Sequence, residues 1–399
     1  MKLTRRQQEF LDAALRGESI FLTGKAGTGK SFVVKEFIKR CKKNVAKLGT
    51  TGVAATNIGG QTIHSFFGIN PYEVYNGRNA KILTGKKRHI IDSVDVIIID
   101  EVSMLRVDVL DAINGTMILN GCGYLSGKQV IFVGDMKQLP VVQKGREKEI
   151  IKSTYKSPFF YHANCYRYLN IKNIELTEVK RQSDARFIEA LNKIRDGGKD
   201  SYFRNFVSDK PNNGVILAPH NQTVSEYNQR ELSKIEGDLL QMTAVIEGDL
   251  NPKNYPVDTK IQVKHGARIM YCVNDKSKNL VNGDIGHLII RDDKFYFYKD
   301  GHEVRIEEHV FENQKYVVER VEKETENGDI VYVDELKLKT VGTMVQYPIK
   351  LAYAITIHKS QGMTFDEVTV DISRRCFAPG QLYVALSRCS NPKGLKIII

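Results

Sequence analysis

No stretch of the 399 residues approaches the roughly 18 uninterrupted apolar residues that a membrane-spanning helix requires. The basic opening segment, MKLTRRQQEFLDAAL, lacks both an apolar core and a small-residue cleavage site, so it does not read as a secretory signal. The 6 cysteines stand apart, with no CxxC pair and no Cys/His cluster. That spacing argues against structural zinc and against a disulfide framework. No internal repeat or low-complexity tract is present, and no nuclease or relaxase cluster. These absences exclude membrane, secreted and disulfide-scaffold classes, and the expectation is a cytoplasmic protein.

What the chain does contain is ordinary globular composition, 42% hydrophobic and 27% charged, with a formal net charge of +12. At roughly 100–200 residues per domain, two or three domains are expected. An excess of positive charge favours a polyanionic partner, which becomes informative only beside a motor or a reading module.

The first ~180 residues alternate β-rich runs with amphipathic segments: SIFLTG (19–24), VAKLGTTG (45–52), VDVIIIDE (94–101) and KQVIFVGD (128–135). Apolar runs ending in polar tips predict strands buried on both faces of a parallel sheet. A helix is predicted from Ser31 to Lys43, and the rhythm is that of an α/β domain. A second α/β pattern begins near residue 181 with RFIEALNKIRDG, a helix stopped by Gly197 and Gly198, followed by GVILAPHNQTVSEYNQREL. From about 240 to 345 short β runs are punctuated by NGD, RDD, KDG and ENGD, predicting a small barrel inserted into the second α/β domain.

The segment GKAGTGKS (24–31) fits the phosphate-loop pattern, with a predicted strand before it and a helix after it. Gly24, Ala26, Gly27, Thr28 and Gly29 would wrap phosphate with backbone N–H groups. Lys30 would reach the β/γ-phosphates and Ser31 would ligate Mg²⁺. At the end of VIIIDE, Asp100 would complete the metal shell and Glu101 would orient and deprotonate water. Gln138, in VGDMKQLPVV, could sense a γ-phosphate. Arg181 and Arg388 lie in the second α/β pattern, where cations could stabilise transition-state charge.

The ordered series LTRRQQ, GKAGTGKS, TTGVAATNIGGQTIHSF, IIIDEVSM, VGDMKQLP, EVKRQSD, IHKSQGMTF and YVALSR resembles the motif set of superfamily 1B helicases, closest to the Pif-one family. The region between the second and third nucleotide motifs, 107–129, follows the pattern only loosely. The resemblance implies an α/β fold of two RecA-like P-loop domains with ATP bound between them. Domain 1A would span 1–180 with a small 1B wedge at about 67–92. Domain 2A would comprise 181–239 and 346–399, and an SH3-like β domain 2B would span 240–345. It further implies that Gln7 reads adenine, that Arg181 and Arg388 contact the γ-phosphate, and that Gln361 and Gly362 face the nucleotide.

For nucleic acid, a cationic groove with stacking surfaces is needed. Thr51, Gly52, Thr62, His64 and Ser65 are candidate phosphate contacts, with Phe66 offered to a base, although a Phe is ordinarily core. His220, Asn221, His358, Lys359 and Ser360 are the matching candidates in the second half. The expected activity is ATP- and Mg²⁺-dependent 5′→3′ translocation on single-stranded DNA with unwinding of forked or 5′-tailed duplexes, by a monomeric motor without membrane partners. A bacterial or viral source is favoured, with association to the nucleoid. The competing expectations are a single-strand remodeller that does not unwind, an RNA-preferring helicase, and a P-loop small-molecule kinase.

Overall fold

Alternate residues of the run VIIID enter two different cores. Val96 and Ile98 pack with Ile20, Leu22, Ile131 and Val133, under Phe10 and Leu11 of helix α1 (Arg5–Leu15) and Val33 and Phe37 of α2 (Lys30–Arg40). Ile97 and Ile99 face the other way, with Val130 and Phe132, against Leu110 and Ile113 of the Val107–Leu119 helix. Side chains on a strand alternate sides, so a run apolar at every position is what a sheet covered on both faces demands. The computed structural model describes residues 3–71, 73–141, 143, 145–178, 184–324 and 330–399.

The first sheet has six strands: β1 (Ile20–Gly24), β2 (Val45–Gly49), β3 (Gln61–Thr62), β4 (Val96–Asp100), β5 (Gln129–Gly134) and β6 (Lys172–Leu176). Their order is β3-β2-β4-β5-β1-β6, and every pairing is parallel. The four sequence-predicted strands are β1, β2, β4 and β5. Two were not predicted: β3 is only two residues long, and β6 is an edge strand whose alternate residues are exposed. Helix α2 ends before the predicted Lys43, because Cys41 turns to an extended backbone at φ −73°, ψ 124°.

Chain contacts divide the molecule into two units, the first comprising 1–136, 140–180 and 314–341, the second 137–139, 181–313 and 342–399. In the second unit a four-stranded parallel sheet runs Ala354–Thr356, Val215–Ala218, Val368–Asp371, Leu395–Ile398. The predicted helices appear as Ala185–Arg195 and Asn221–Ser233. A five-stranded antiparallel sheet follows, in the order His302–Ile306, Lys294–Lys299, Ile285–Arg291, Arg268–Tyr271, Ile349–Leu351. Its hairpins turn at Asp292-Asp293 (φ 50° and 54°) and Asp300-Gly301 (φ 51° and 82°), the left-handed pairs that tight two-residue hairpins need. Among the described residues no helix is long and apolar enough to cross a membrane.

Two strands differ from expectation in length: His309–Glu324 and Ile330–Gln346 run 16 and 17 residues, not short barrel strands. The ENGD turn signal between them lies outside the described residues. The far part of this pair, 314–341, is built into the first unit. Tyr316 is buried there, edge-on to Phe66, with its hydroxyl accepting from the Lys47 N–H at 2.8 Å. Asn44 clamps the returning strand, donating to the Asp334 carbonyl at 3.0 Å and accepting from the Leu336 N–H at 3.2 Å.

Segment 67–92 carries one helix, Gly85–Asp92, and is otherwise tied down by side chains of the Val107–Leu119 helix and its cap. Asp108 accepts from the Tyr75 N–H at 2.9 Å, and Asn120 from the Leu83 N–H at 2.8 Å. Asp108 is itself held by the buried Arg106 guanidinium.

Tyr316→Phe should lower stability in urea denaturation by about 1–3 kcal/mol, the cost of leaving the Lys47 N–H unpaired. Tyr316→Ala should cost more, about 3–5 kcal/mol, because it also empties a core position. Equal midpoints for wild type and both variants would remove the strand pair from the first unit's core.

Candidate nucleotide and nucleic-acid sites

Parallel strands end together, and in the first unit the polar tips collect at one edge of the sheet. Register sets Thr23 of β1 beside Gly134 of β5, and Gly49 of β2 beside Asp100 of β4. The loop 24–29 leaves β1 and runs directly into α2, whose N-terminal end faces anions favourably. Gly29 caps α2 in the left-handed region at φ 84°, where a Cβ would also lie 2.7 Å from Gln7 Nε2. The Lys30 ammonium folds over the loop, donating to the Gly24 carbonyl at 2.7 Å and the Lys25 carbonyl at 3.1 Å.

Gln7 is fully buried and does two structural jobs. Its Oε1 accepts from the Thr4 N–H at 3.1 Å in a capping box, and its Nε2 donates to the Thr28 carbonyl at 3.2 Å. The residue expected to read adenine thereby buttresses the phosphate loop.

Asp100 accepts from the N–H of Glu101 at 2.9 Å. Burial pushes its carboxyl up, against the pull of that N–H and of the Lys30 cation. Glu101 sits at φ 54°, ψ 46°, a left-handed conformation unfavourable for a residue with a Cβ. Its carbonyl accepts from the Thr50 hydroxyl at 3.1 Å. Strain of this kind concentrates at working sites. Ser31 and Asp100 are hard oxygen donors, and among the described residues no group of three or more His, Cys, Asp or Glu forms a metal cage. Such a donor set fits Mg²⁺, which binds one or two protein oxygens and shares the rest with phosphate and water.

Of the nucleic-acid candidates in the first unit, Thr51 and Thr62 serve as N-caps, accepting from the Ala54 and Ser65 N–H groups at 3.2 and 3.3 Å. Gly52 opens the helix after Thr51. Ser65 accepts from Gln61 Nε2 at 2.6 Å. His64 and Ser65 line a cavity of 510 Å³ together with Lys81, Lys86, Lys87 and Lys315. Lys315 was not among the expected contacts, because it lies in a β run far along the sequence. Burial and the neighbouring Arg106 hold the His64 imidazole below its ordinary range, so at neutral pH it offers an N–H, not a charge. Phe66 requires a correction: it is 2% exposed and packed edge-on between Phe67 and Tyr316, so its ring is core and not a base platform.

In the second unit, His220 and Asn221 follow the Val215–Ala218 strand, and His358 and Lys359 follow the neighbouring Ala354–Thr356 strand. Lys359 is exposed, and Gln361 and Gly362 continue the same turn, Gly362 at φ 80°. Ser360 requires a second correction. It is fully buried and its hydroxyl donates to the Ile357 carbonyl at 2.8 Å, a turn-forming bond that leaves no proton for a phosphate. Arg388 is also buried, donating to the Val384 and Met363 carbonyls at 3.0 and 3.3 Å and to the Ser387 hydroxyl at 2.9 Å. Gln138 is buried in the second unit's contact group, and Arg181 lies outside the described residues. The sequence reading missed a third tip, Phe377, after the Val368–Asp371 strand; its signal is the basic-aromatic run RRCF between two recognised motifs.

Comparison with known proteins places these features in context. Residues 2–204 match the family profile described as PIF1-like helicase. The ATP-dependent DNA helicase Pif1 of Campylobacter jejuni is 33% identical, covering 97% of this chain and 90% of its own length. The crystal structure of Bacteroides sp Pif1 with ADP-AlF4 superposes with a TM-score of 0.85 at 32% identity, covering 100% of this chain and 92% of that one. Bacteroides Pif1 bound to ssDNA gives a TM-score of 0.69 at the same identity and coverage. The two parallel sheets accordingly fit two RecA-like domains.

Because Glu101 holds a left-handed backbone, Glu101→Gly should be more stable than Glu101→Ala by about 1 kcal/mol, both variants lacking the carboxylate. Thermal melts of the two proteins check this, and an Ala variant at least as stable as Gly would show the backbone is unstrained.

Proposed function

The chain belongs to the PIF1-like helicase family, and from that premise we propose that it is an ATP-dependent DNA helicase moving 5′→3′ along single-stranded DNA and opening forked or 5′-tailed duplexes. The observation that carries the reading is the gathering of chemistry at the carboxyl edges of two parallel sheets, Lys30, Asp100 and Glu101 on one, His220, His358 and Lys359 on the other. Open α/β sheets bind ligands at that edge.

In this reading the loop 24–29 holds the ATP phosphates through backbone N–H groups, and Gln7 keeps that loop in shape from below. Lys30 exchanges its loop carbonyls for β/γ-phosphate oxygens. Ser31 and Asp100 would hold Mg²⁺, which would supply positive charge against the phosphates when bound. Glu101 aligns the attacking water and accepts its proton. Gln138, Arg181, Gln361 and Gly362 act on the γ-phosphate, and Arg388 joins them by exchanging its Val384, Met363 and Ser387 partners for phosphate oxygens.

The nucleic-acid contacts divide by chemistry. His64 and the lysines of the 510 Å³ cavity take phosphates, with Thr51, Gly52, Thr62 and Ser65 shaping the backbone around them. Lys359, His358, His220 and Asn221 take the strand on the second sheet. Segment 67–92 serves as the 1B wedge, and the motor works as a monomer. The antiparallel strands between 240 and 313 serve as the core of the SH3-like 2B domain, whose expected span to 345 is cut short because 314–341 packs into the first unit.

Lys30→Ala should reduce DNA-stimulated ATP hydrolysis by about 100-fold or more, as expected for losing a preorganised cation on the transferred phosphoryl group. On duplexes carrying one single-stranded tail, wild type should open the 5′-tailed and not the 3′-tailed substrate, and Lys30→Ala neither; unwinding by Lys30→Ala would sink the reading. Lys359→Ala should lower DNA-stimulated hydrolysis more than basal hydrolysis and flatten the salt dependence of binding by about one counterion. Equal losses in both rates would confine Lys359 to folding or to ATP.

A further inference from the structure

Phe377 is 56% exposed at the tip following the Val368–Asp371 strand. A single exposed aromatic ring is unremarkable, but this one is built into a stack. The His358 imidazole lies parallel to it, with centroids 5.9 Å apart and planes 14° apart. The His220 ring lies against it at 5.3 Å, tilted by 40°. These residues follow three adjacent parallel strands, Ala354–Thr356, Val215–Ala218 and Val368–Asp371, so three tips converge on one ring.

The loop carrying the ring is fixed from beneath. Gln381, fully buried, accepts through Oε1 from the N–H groups of Phe377 at 2.9 Å and Ala378 at 3.2 Å. A ring nitrogen of His220 lies 3.2 Å from the Arg375 carbonyl oxygen, tying two of the tips together. Gly380, at φ 78°, lets the loop enter the next helix where a Cβ would lie 2.6 Å from the Gln138 carbonyl oxygen. Exposed Arg375 and Lys359 supply positive charge beside the stack. A rigid aromatic face with flanking cations is the combination that holds single strands without reading their sequence.

We propose that Phe377, backed by His220 and His358, is a base-stacking platform for single-stranded nucleic acid. The assignment rests on the helicase reading above and adds to it a residue that replaces Phe66 as the aromatic contact. The platform carries no hydrogen-bond code, so it accepts any base and requires only that a base be present.

The test is fluorescence anisotropy of a labelled oligothymidylate and of an abasic strand of equal length, without nucleotide, using full-length protein. Phe377→Ala and Phe377→Leu should each weaken oligothymidylate binding by about ten-fold, and Phe377→Tyr should restore it. Wild type should prefer the base-bearing strand over the abasic one, and Phe377→Ala should lose that preference. Wild-type affinity in the Ala and Leu variants, or a preserved preference for bases in the Ala variant, overturns the platform. Equal weakening in the Tyr variant assigns the ring to folding and overturns it as well. Failure of wild type to bind either strand would instead defeat the helicase reading itself.

Discussion

Strands buried on both faces have nothing to offer a ligand except their ends. The chemistry at the strand tips follows from that constraint. The faces of the first sheet are filled by Ile, Val, Leu and Phe, so reactive groups are displaced to the loops where β1 and β4 stop. In the second unit the same rule sends His220, His358 and Phe377 to the tips of three neighbouring strands. Parallel register then makes residues distant in sequence into neighbours without any direct side-chain link.

The tips themselves are held by buried polar groups. Gln7 spends both ends of its amide on a helix cap and the phosphate loop, Gln381 fixes the Phe377 loop, and Arg106 with Asp108 anchors segment 67–92. Each of these bonds fixes a loop from within the core, so these residues tolerate few replacements even though none of them need touch a reacting atom. Rigidity at the tips lowers the ordering cost of binding.

Much of this was legible in the sequence, for reasons that vary by element. The phosphate loop was readable because three glycines and a lysine between a strand and a helix have little other use. The core strands showed as unbroken apolar runs, and the hairpins at RDD and KDG showed because their residues tolerate a left-handed backbone. Strand β3 was invisible because two residues carry no period. The His309–Glu324 and Ile330–Gln346 strands were read as short because their exposure follows partners supplied by the chain's first half. Burial explains the two corrected residues: motif spacing offered Phe66 and Ser360 to nucleic acid, and packing claimed the ring of one and the hydroxyl proton of the other. Phe377 escaped notice because its significance lies in two histidines more than a dozen residues away.

The long strand pair has a bearing on how the protein comes into being. Residues 314–341 complete the core around Phe66 and cover the backbone of β2, yet they are synthesised after most of the second unit. A nascent chain that has emerged only through residue 180 therefore displays an unfinished core, with an apolar socket where Tyr316 belongs. The usual order, in which an N-terminal domain closes as it leaves the ribosome, is interrupted here. The first unit's core is completed only once residues 314–341 have been made.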